Sequence, residues 1–201
     1  MVWIRKRPSF PLKDCGHDRL MSLVASICKP RNVARTIGNF MKLGIISDSH
    51  DHIDNIARSI RIFRDRGVAY VLHLGDYVNP NSVRAFQGIK LVGIFGNNDG
   101  DKLRLMTACN EISGEIKGEF YEFEEAGLKF ACYHGTELSI KDALVKCSTY
   151  DVVLSGHTHI CENLRIGKTL VLNPGTSHGF GDKATIMIFD TQTMRAELIE
   201  L

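Results

Sequence analysis

Short apolar runs recur along this chain, and each ends in a cluster of small and polar residues. Residues 43–46 lead into Ser47-Asp48-Ser49-His50, residues 70–74 into Gly75-Asp76, and residues 90–95 into Gly96-Asn97-Asn98-Asp99. Further on, residues 128–133 lead into His134-Gly135, 151–154 into Ser155-Gly156-His157-Thr158-His159, and 169–172 into Asn173-Pro174-Gly175. Continuous apolar runs of this length suit strands buried on both faces. A helix is expected over residues 52–66, where Ile53, Ile56, Ile60 and Phe63 fall at helical spacing, with Asp51 placed to cap it and Gly67 to end it. A shorter helix over 81–86 follows the second run. The resulting β-α-β-α-β order predicts a parallel sheet with right-handed crossovers.

The second half is richer in hairpins. Ala126-Gly127 and Gly167-Lys168 are placed to turn two of them, and residues 185–189 and 195–199 form a last strand pair. Ile140, Ala143, Leu144 and Cys147 have helical spacing, and a helix is also expected near 101–109. The chain therefore reads as layered α/β, with a mixed sheet or with two sheets packed face to face and covered by helices.

Length and charge refine this picture. At 201 residues the chain is one domain, or one domain with a tail. Residues 1–40 hold eight Lys/Arg against two Asp/Glu, whereas residues 41–201 hold seventeen against twenty-one. The net charge of +2 thus averages a basic extension, 1–40, with a mildly acidic domain, 41–201, which weakens the case for the latter as a nucleic-acid-binding surface. The extension is interrupted by Pro8, Pro11 and Pro30, and its Arg-rich composition also suits an organellar transit peptide. The other reading is a disordered tail, or translation that begins at Met41. No run of 18 apolar residues is present, which argues against a membrane span. The six Cys form no C-x-x-C pair and no secretion signal precedes them, so reduced thiols in the cytoplasm are expected. Cys132 reads as core.

In open α/β sheets the carboxyl ends of neighbouring strands share one edge, where ligands bind. Six loops would converge there, bringing Asp48, His50, Asp76, Asn97, His134, His157 and His159 together. Imidazole nitrogen with carboxylate or amide oxygen suits Zn, Mn, Fe or Ni. Seven ligands exceed one tetrahedral ion and suit two ions sharing a carboxylate. Taken singly, each signal is weak. Asp99 reads better as a turn and cap residue, His73 as core, and His52 as a cap or support as readily as a catalyst. His178 is balanced between substrate contact and plain exposure, and His17 is uninformative.

The ordered set D-x-H, G-D, G-N-N-D, H-G and G-H-T-H resembles the calcineurin-like metallophosphoesterases, and within them the small YfcE-like phosphodiesterases. The resemblance runs from about Met41 to Leu201. It implies a four-layer α-β-β-α sandwich of mixed sheets. It places Asp48, His50 and His159 on one ion, Asn97, His134 and His157 on the other, and Asp76 between both. It further implies phosphodiester hydrolysis by a hydroxide bridging two divalent ions, with Asp76, Asn97 and His134 as the catalytic set. Manganese is the first expectation, and nickel, zinc or iron also suit these ligands. Larger relatives carry a His where Asn98 stands, and Asn98 cannot act as an acid towards a leaving group. The implied partner is a small phosphoester, with nucleic acid entering only as a phosphodiester substrate. Small members often self-associate, so a homo-oligomer is compatible with the resemblance. The alternatives are a phosphomonoesterase and a non-catalytic scaffold like the retromer subunit of this fold; a nucleic-acid-binding protein using the basic tail carries less weight.

Overall fold

The computed structural model describes residues 40–180 and 183–201. The basic extension up to residue 39, with Cys15, Cys28 and His17, lies outside the described residues, as do the expectations attached to it.

The first half alternates strictly: β1 (Lys42–Ile46), α1 (Ile53–Asp65), β2 (Val68–His73), α2 (Pro80–Arg84), β3 (Leu91–Gly93), α3 (Lys102–Glu111) and β4 (Glu115–Ile116). Then come β5 (Phe120–Glu125), β6 (Leu128–Tyr133), α4 (Leu138–Lys146), β7 (Val152–Leu154) and β8 (Cys161–Ile166). The chain ends with β9 (Thr169–Pro174), β10 (Thr185–Asp190) and β11 (Arg195–Glu200). One sheet has the order β11-β10-β1-β2-β3-β4, with β1 to β4 parallel and the last two strands antiparallel. The other has the order β5-β6-β7-β9-β8, with a parallel centre and antiparallel edges.

Side-chain alternation explains how these elements stack. Leu43 and Ile45 of β1 point inward and meet Leu72, Phe130, Leu154 and Leu172, so this core lies between the two sheets. Ile46 and Val71 point outward, where Ile56, Ile60 and Phe63 of α1 cover them together with Leu105 of α3. On the opposite surface Ala131, Val153 and Val171 pack against Val145 of α4. The result is helices, sheet, sheet, helix: the four-layer sandwich. Each of these large side chains contributes roughly 1.5–3 kcal/mol by leaving water.

Several local expectations are corrected. His52, not Asp51, caps α1, its Nδ1 accepting the Asn55 N–H at 3.2 Å. Asp51 instead accepts from the Ser82 hydroxyl at 2.5 Å and ties the loop to α2. Asp101, not Asp99, caps α3. In α4 the buried positions are Lys141 and Val145, while Ile140 and Cys147 are exposed. The aliphatic stem of Lys141 fills the interface and its ammonium pairs with Glu162 of β8. Apolar spacing alone could not reveal that a lysine would be turned inward.

His73, at the end of β2, is buried as expected, but it also joins two loops. Its Nδ1 accepts the Gly75 N–H at 3.2 Å, which leaves Nε2 to donate to Ser49 Oγ at 3.0 Å, and Tyr77 stacks on the ring at 3.8 Å. Burial pushes this imidazole down to about 3, against the opposing pull of the Asp76 charge. The fold therefore favours neutral His73. Its contribution is complete above about pH 6.5 and declines as pH falls towards 3, because the unfolded chain takes up the proton first. Chemical denaturation between pH 7 and 4 should show His73→Gln losing less stability than the parent; equal losses would contradict this role.

Candidate metal centre

The carboxyl ends of β1, β2, β3, β6, β7 and β9 all reach one edge of the sandwich, because both parallel ladders run in that direction. The loops that leave them are strained. Asp48, His50, Asp76, His157 and His159 have φ of 52°, 38°, 62°, 65° and 59°. Left-handed backbone is uncommon for such residues, costs of order 1–3 kcal/mol each, and clusters at functional sites. Here it turns five polar side chains back over the strand ends.

Asp48 and Asp76 are 0% and 1% exposed. Asp48 Oδ1 lies 3.3 Å from His159 Nε2 and 3.9 Å from both His50 Nε2 and His134 Nε2. Asp76 Oδ2 lies 3.4 Å from His134 Nε2 and 3.6 Å from His50 Nε2. Two groups with metal-ligand spacing result: Asp48 with His50 and His159, and Asp48 with Asp76 and His134. Asp48 belongs to both, and Asp76 faces a histidine from each. Asp48 Oδ1, His50 Nε2 and His134 Nε2 are buried without a hydrogen-bond partner among the described residues. Buried polar atoms left in this way call for a further ligand, and two carboxylates with several imidazole nitrogens are a donor set that fits divalent transition-metal ions.

The surrounding backbone holds the carboxylates in place. Asp48 Oδ2 accepts the His157 N–H at 3.1 Å, and Asp76 accepts the Asn98 N–H at 2.9 Å and the Asn98 side-chain amide at 2.7 Å. Two glycines make room. A Cβ on Gly96 would stand 2.1 Å from Asp76 Oδ1, and one on Gly156 would stand 1.9 Å from Ser47 Oγ and 2.7 Å from Asp48 Oδ2. Burial by itself would raise the Asp76 pKa; the neighbouring His134 imidazole, 3.4 Å away, and the two Asn98 bonds outweigh it and hold the carboxyl below its usual range. Burial lowers the His134 pKa, yet the neighbouring Asp76 and Asp48 carboxylates raise it on balance. His134 Nδ1 is fixed on the Leu74 carbonyl at 2.7 Å, which turns Nε2 towards the two carboxylates.

Asn97 and His157 stand further out. Asn97 is exposed, its Oδ1 accepting from Thr136 Oγ1 at 3.4 Å, and with His134 it lines a cleft of about 580 Å³. The His157 ring packs across that of His134, with centroids 5.2 Å apart. His178 is neither free on the surface nor aimed into that cleft; it stacks on Phe180 at 3.7 Å and meets His52 edge-on at 5.3 Å. Burial, followed by the charges of His52, His50 and His159, lowers its pKa.

The expectation for Asp99 is overturned. Instead of capping a helix, it is buried and accepts three backbone N–H groups, from Asp76 at 2.8 Å, Val78 at 2.8 Å and Gly96 at 2.7 Å. It fixes both the loop that carries Asp76 and the loop that carries Asn97. Burial raises its pKa, with the three backbone bonds opposing. Asn55 was also missed: from α1 it donates to the Ser177 carbonyl at 2.8 Å and the His178 carbonyl at 3.3 Å. Neither role has a local sequence signal, because both depend on loops distant along the chain.

Comparison with known proteins agrees with this geometry. The profile of the calcineurin-like phosphoesterase superfamily domain matches residues 41–194. Phosphodiesterase MJ0936 of Methanocaldococcus jannaschii is 38% identical over 156 residues, which span 76% of this chain and 94% of that protein. A solved structure described as a novel archaeal phosphodiesterase superposes with a TM-score of 0.76 at 36% identity, covering 80% of this chain and 100% of that one. YfcE, a phosphoesterase from E. coli, shares the fold with a TM-score of 0.60 at 17% identity, over 79% of this chain and 98% of its own. Vps29 of Chaetomium thermophilum also shares the fold, at 0.60 and 13% identity, over 80% and 96%. With its sandwich, its strand-end ligands and a profile match over most of its length, the chain belongs to the calcineurin-like phosphoesterase superfamily, a family of metal-dependent phosphoric ester hydrolases.

Proposed function

We propose that residues 41–201 form the working domain, a phosphodiesterase that uses two divalent ions, manganese first among them. Asp48, His50 and His159 hold one ion, Asn97, His134 and His157 the other, and Asp76 stands between them. The observation that carries this reading is the convergence of buried, unpartnered Asp48 Oδ1, His50 Nε2 and His134 Nε2 beside a second buried carboxylate. The family match and the archaeal relative supply the reaction class. Among the described residues no helix is long and apolar enough to cross a membrane.

When bound, the ions supply Lewis-acid activation of water and neutralise phosphate charge. The chain supplies position. His134, locked through Nδ1 on the Leu74 carbonyl, keeps Nε2 aimed at the carboxylates. Asn97, whose oxygen accepts from Thr136 with one lone pair, would offer the other to the ion and its NH2 to a phosphate oxygen in the cleft. Asn98 carries no acid and its amide is committed to Asp76, so it offers the departing oxygen no proton. Esters with good leaving groups are therefore the preferred substrates.

With Mn²⁺ present, the protein should hydrolyse a bis-aryl phosphodiester, a chelator should abolish the activity, and Asp76→Ala should lower it by about 100-fold or more. Equal rates in parent and variant would overturn the two-metal reading. Asn98→His should raise the rate on esters with poor leaving groups relative to activated aryl esters. An unchanged ratio, measured across a leaving-group series, would show that a missing acid does not limit the enzyme.

A further inference from the structure

The two halves of the centre are supported differently. His134 is 1% exposed and its ring is set by the bond to the Leu74 carbonyl. A ligating imidazole is ordinarily oriented through its second nitrogen in this way. The outer pair, His50 and His159, has side-chain exposures of 14% and 32%. Besides the Asp48 carboxylate, these two rings share an aromatic neighbour, Phe180. Its ring meets His50 edge-on, with centroids 5.0 Å apart and planes at 69°, and lies nearly parallel to His159 at 5.6 Å and 13°. His50 and His159 meet each other edge-on at 5.6 Å.

Phe180 is in turn fixed to the framework. It stacks on His178 at 3.7 Å and 21°. The His178 N–H donates to the Asp48 carbonyl at 3.1 Å, and the Asn55 amide holds the His178 carbonyl. The ring is thus referenced to the same loop that carries the Asp48 carboxylate. Contact among aromatic rings has a preferred geometry and restrains the imidazoles to the rotamers that aim Nε2 at Asp48. Phe180, itself 50% exposed, adds an apolar side chain beside the two rings, and the apolar shell around a metal site controls solvent access to it.

We propose that Phe180 is a positioning residue that sets the His50 and His159 rotamers and so governs retention of the ion in the outer half of the centre. The proposal rests on the two-metal reading above. It can be tested on the full chain with Mn²⁺ as the probe, by calorimetric titration and electron paramagnetic resonance. The parent should bind two ions and give the spectrum of an exchange-coupled pair. Phe180→Ala should bind one ion as the parent does and the second about 10-fold more weakly. At Mn²⁺ concentrations that fill the parent, its spectrum should become that of an isolated ion, and Phe180→Tyr should restore the coupled signal. If Phe180→Ala binds both ions as tightly as the parent, or weakens both equally, the role of Phe180 is overturned while the two-metal reading stands. A parent that binds only one ion overturns both.

Discussion

Two carboxylates buried at one sheet edge set the terms for everything around them. An ionised carboxylate held away from water without compensation is strongly unfavourable. Asp48 and Asp76 are held there all the same, by backbone N–H groups from His157 and Asn98, by imidazoles, and by glycines that leave no side chain in their way. The strained φ values of the same loops follow from that demand. Regular strand or helix geometry would aim these side chains elsewhere, and the doubly buried sheets beneath are stiff enough to bear the strain. Both parallel ladders ending at the same edge is what makes the convergence geometrically available.

The sandwich was largely legible, because strands buried on both faces must be continuous apolar runs and their polar terminations are abrupt. Pattern alone leaves open whether one mixed sheet or two packed sheets result. The alternation of Leu43 and Ile45 against Ile46 decides it, by sending one set between sheets and the other under helices. Residues whose role is fixed by distant partners were not legible. Asp99 looks like a turn residue until the N–H groups of Asp76 and Val78 are seen to point at it. Lys141 looks like a surface lysine until Glu162 faces it across α4 and β8. His52 outcompetes Asp51 as a cap because Ser82 claims the carboxylate.

The site itself was legible as a set of ligand types at strand ends, but not in its asymmetry. Asp48, Asp76 and His134 are buried and hydrogen-bonded into the framework, whereas His50 and His159 lie closer to solvent beside an aromatic ring. In the proposed reading Asn97, at the mouth of the cleft, would serve both the second ion and the phosphate.

In the proposed mechanism two ions occupy that edge together. Anomalous diffraction from crystals of the protein grown with Mn²⁺ addresses this directly. Two peaks about 3.5–4 Å apart, one beside Asp48, His50 and His159, the other beside His134, with Asp76 between them, are what the account predicts. A single peak, or peaks away from these carboxylates, would contradict it.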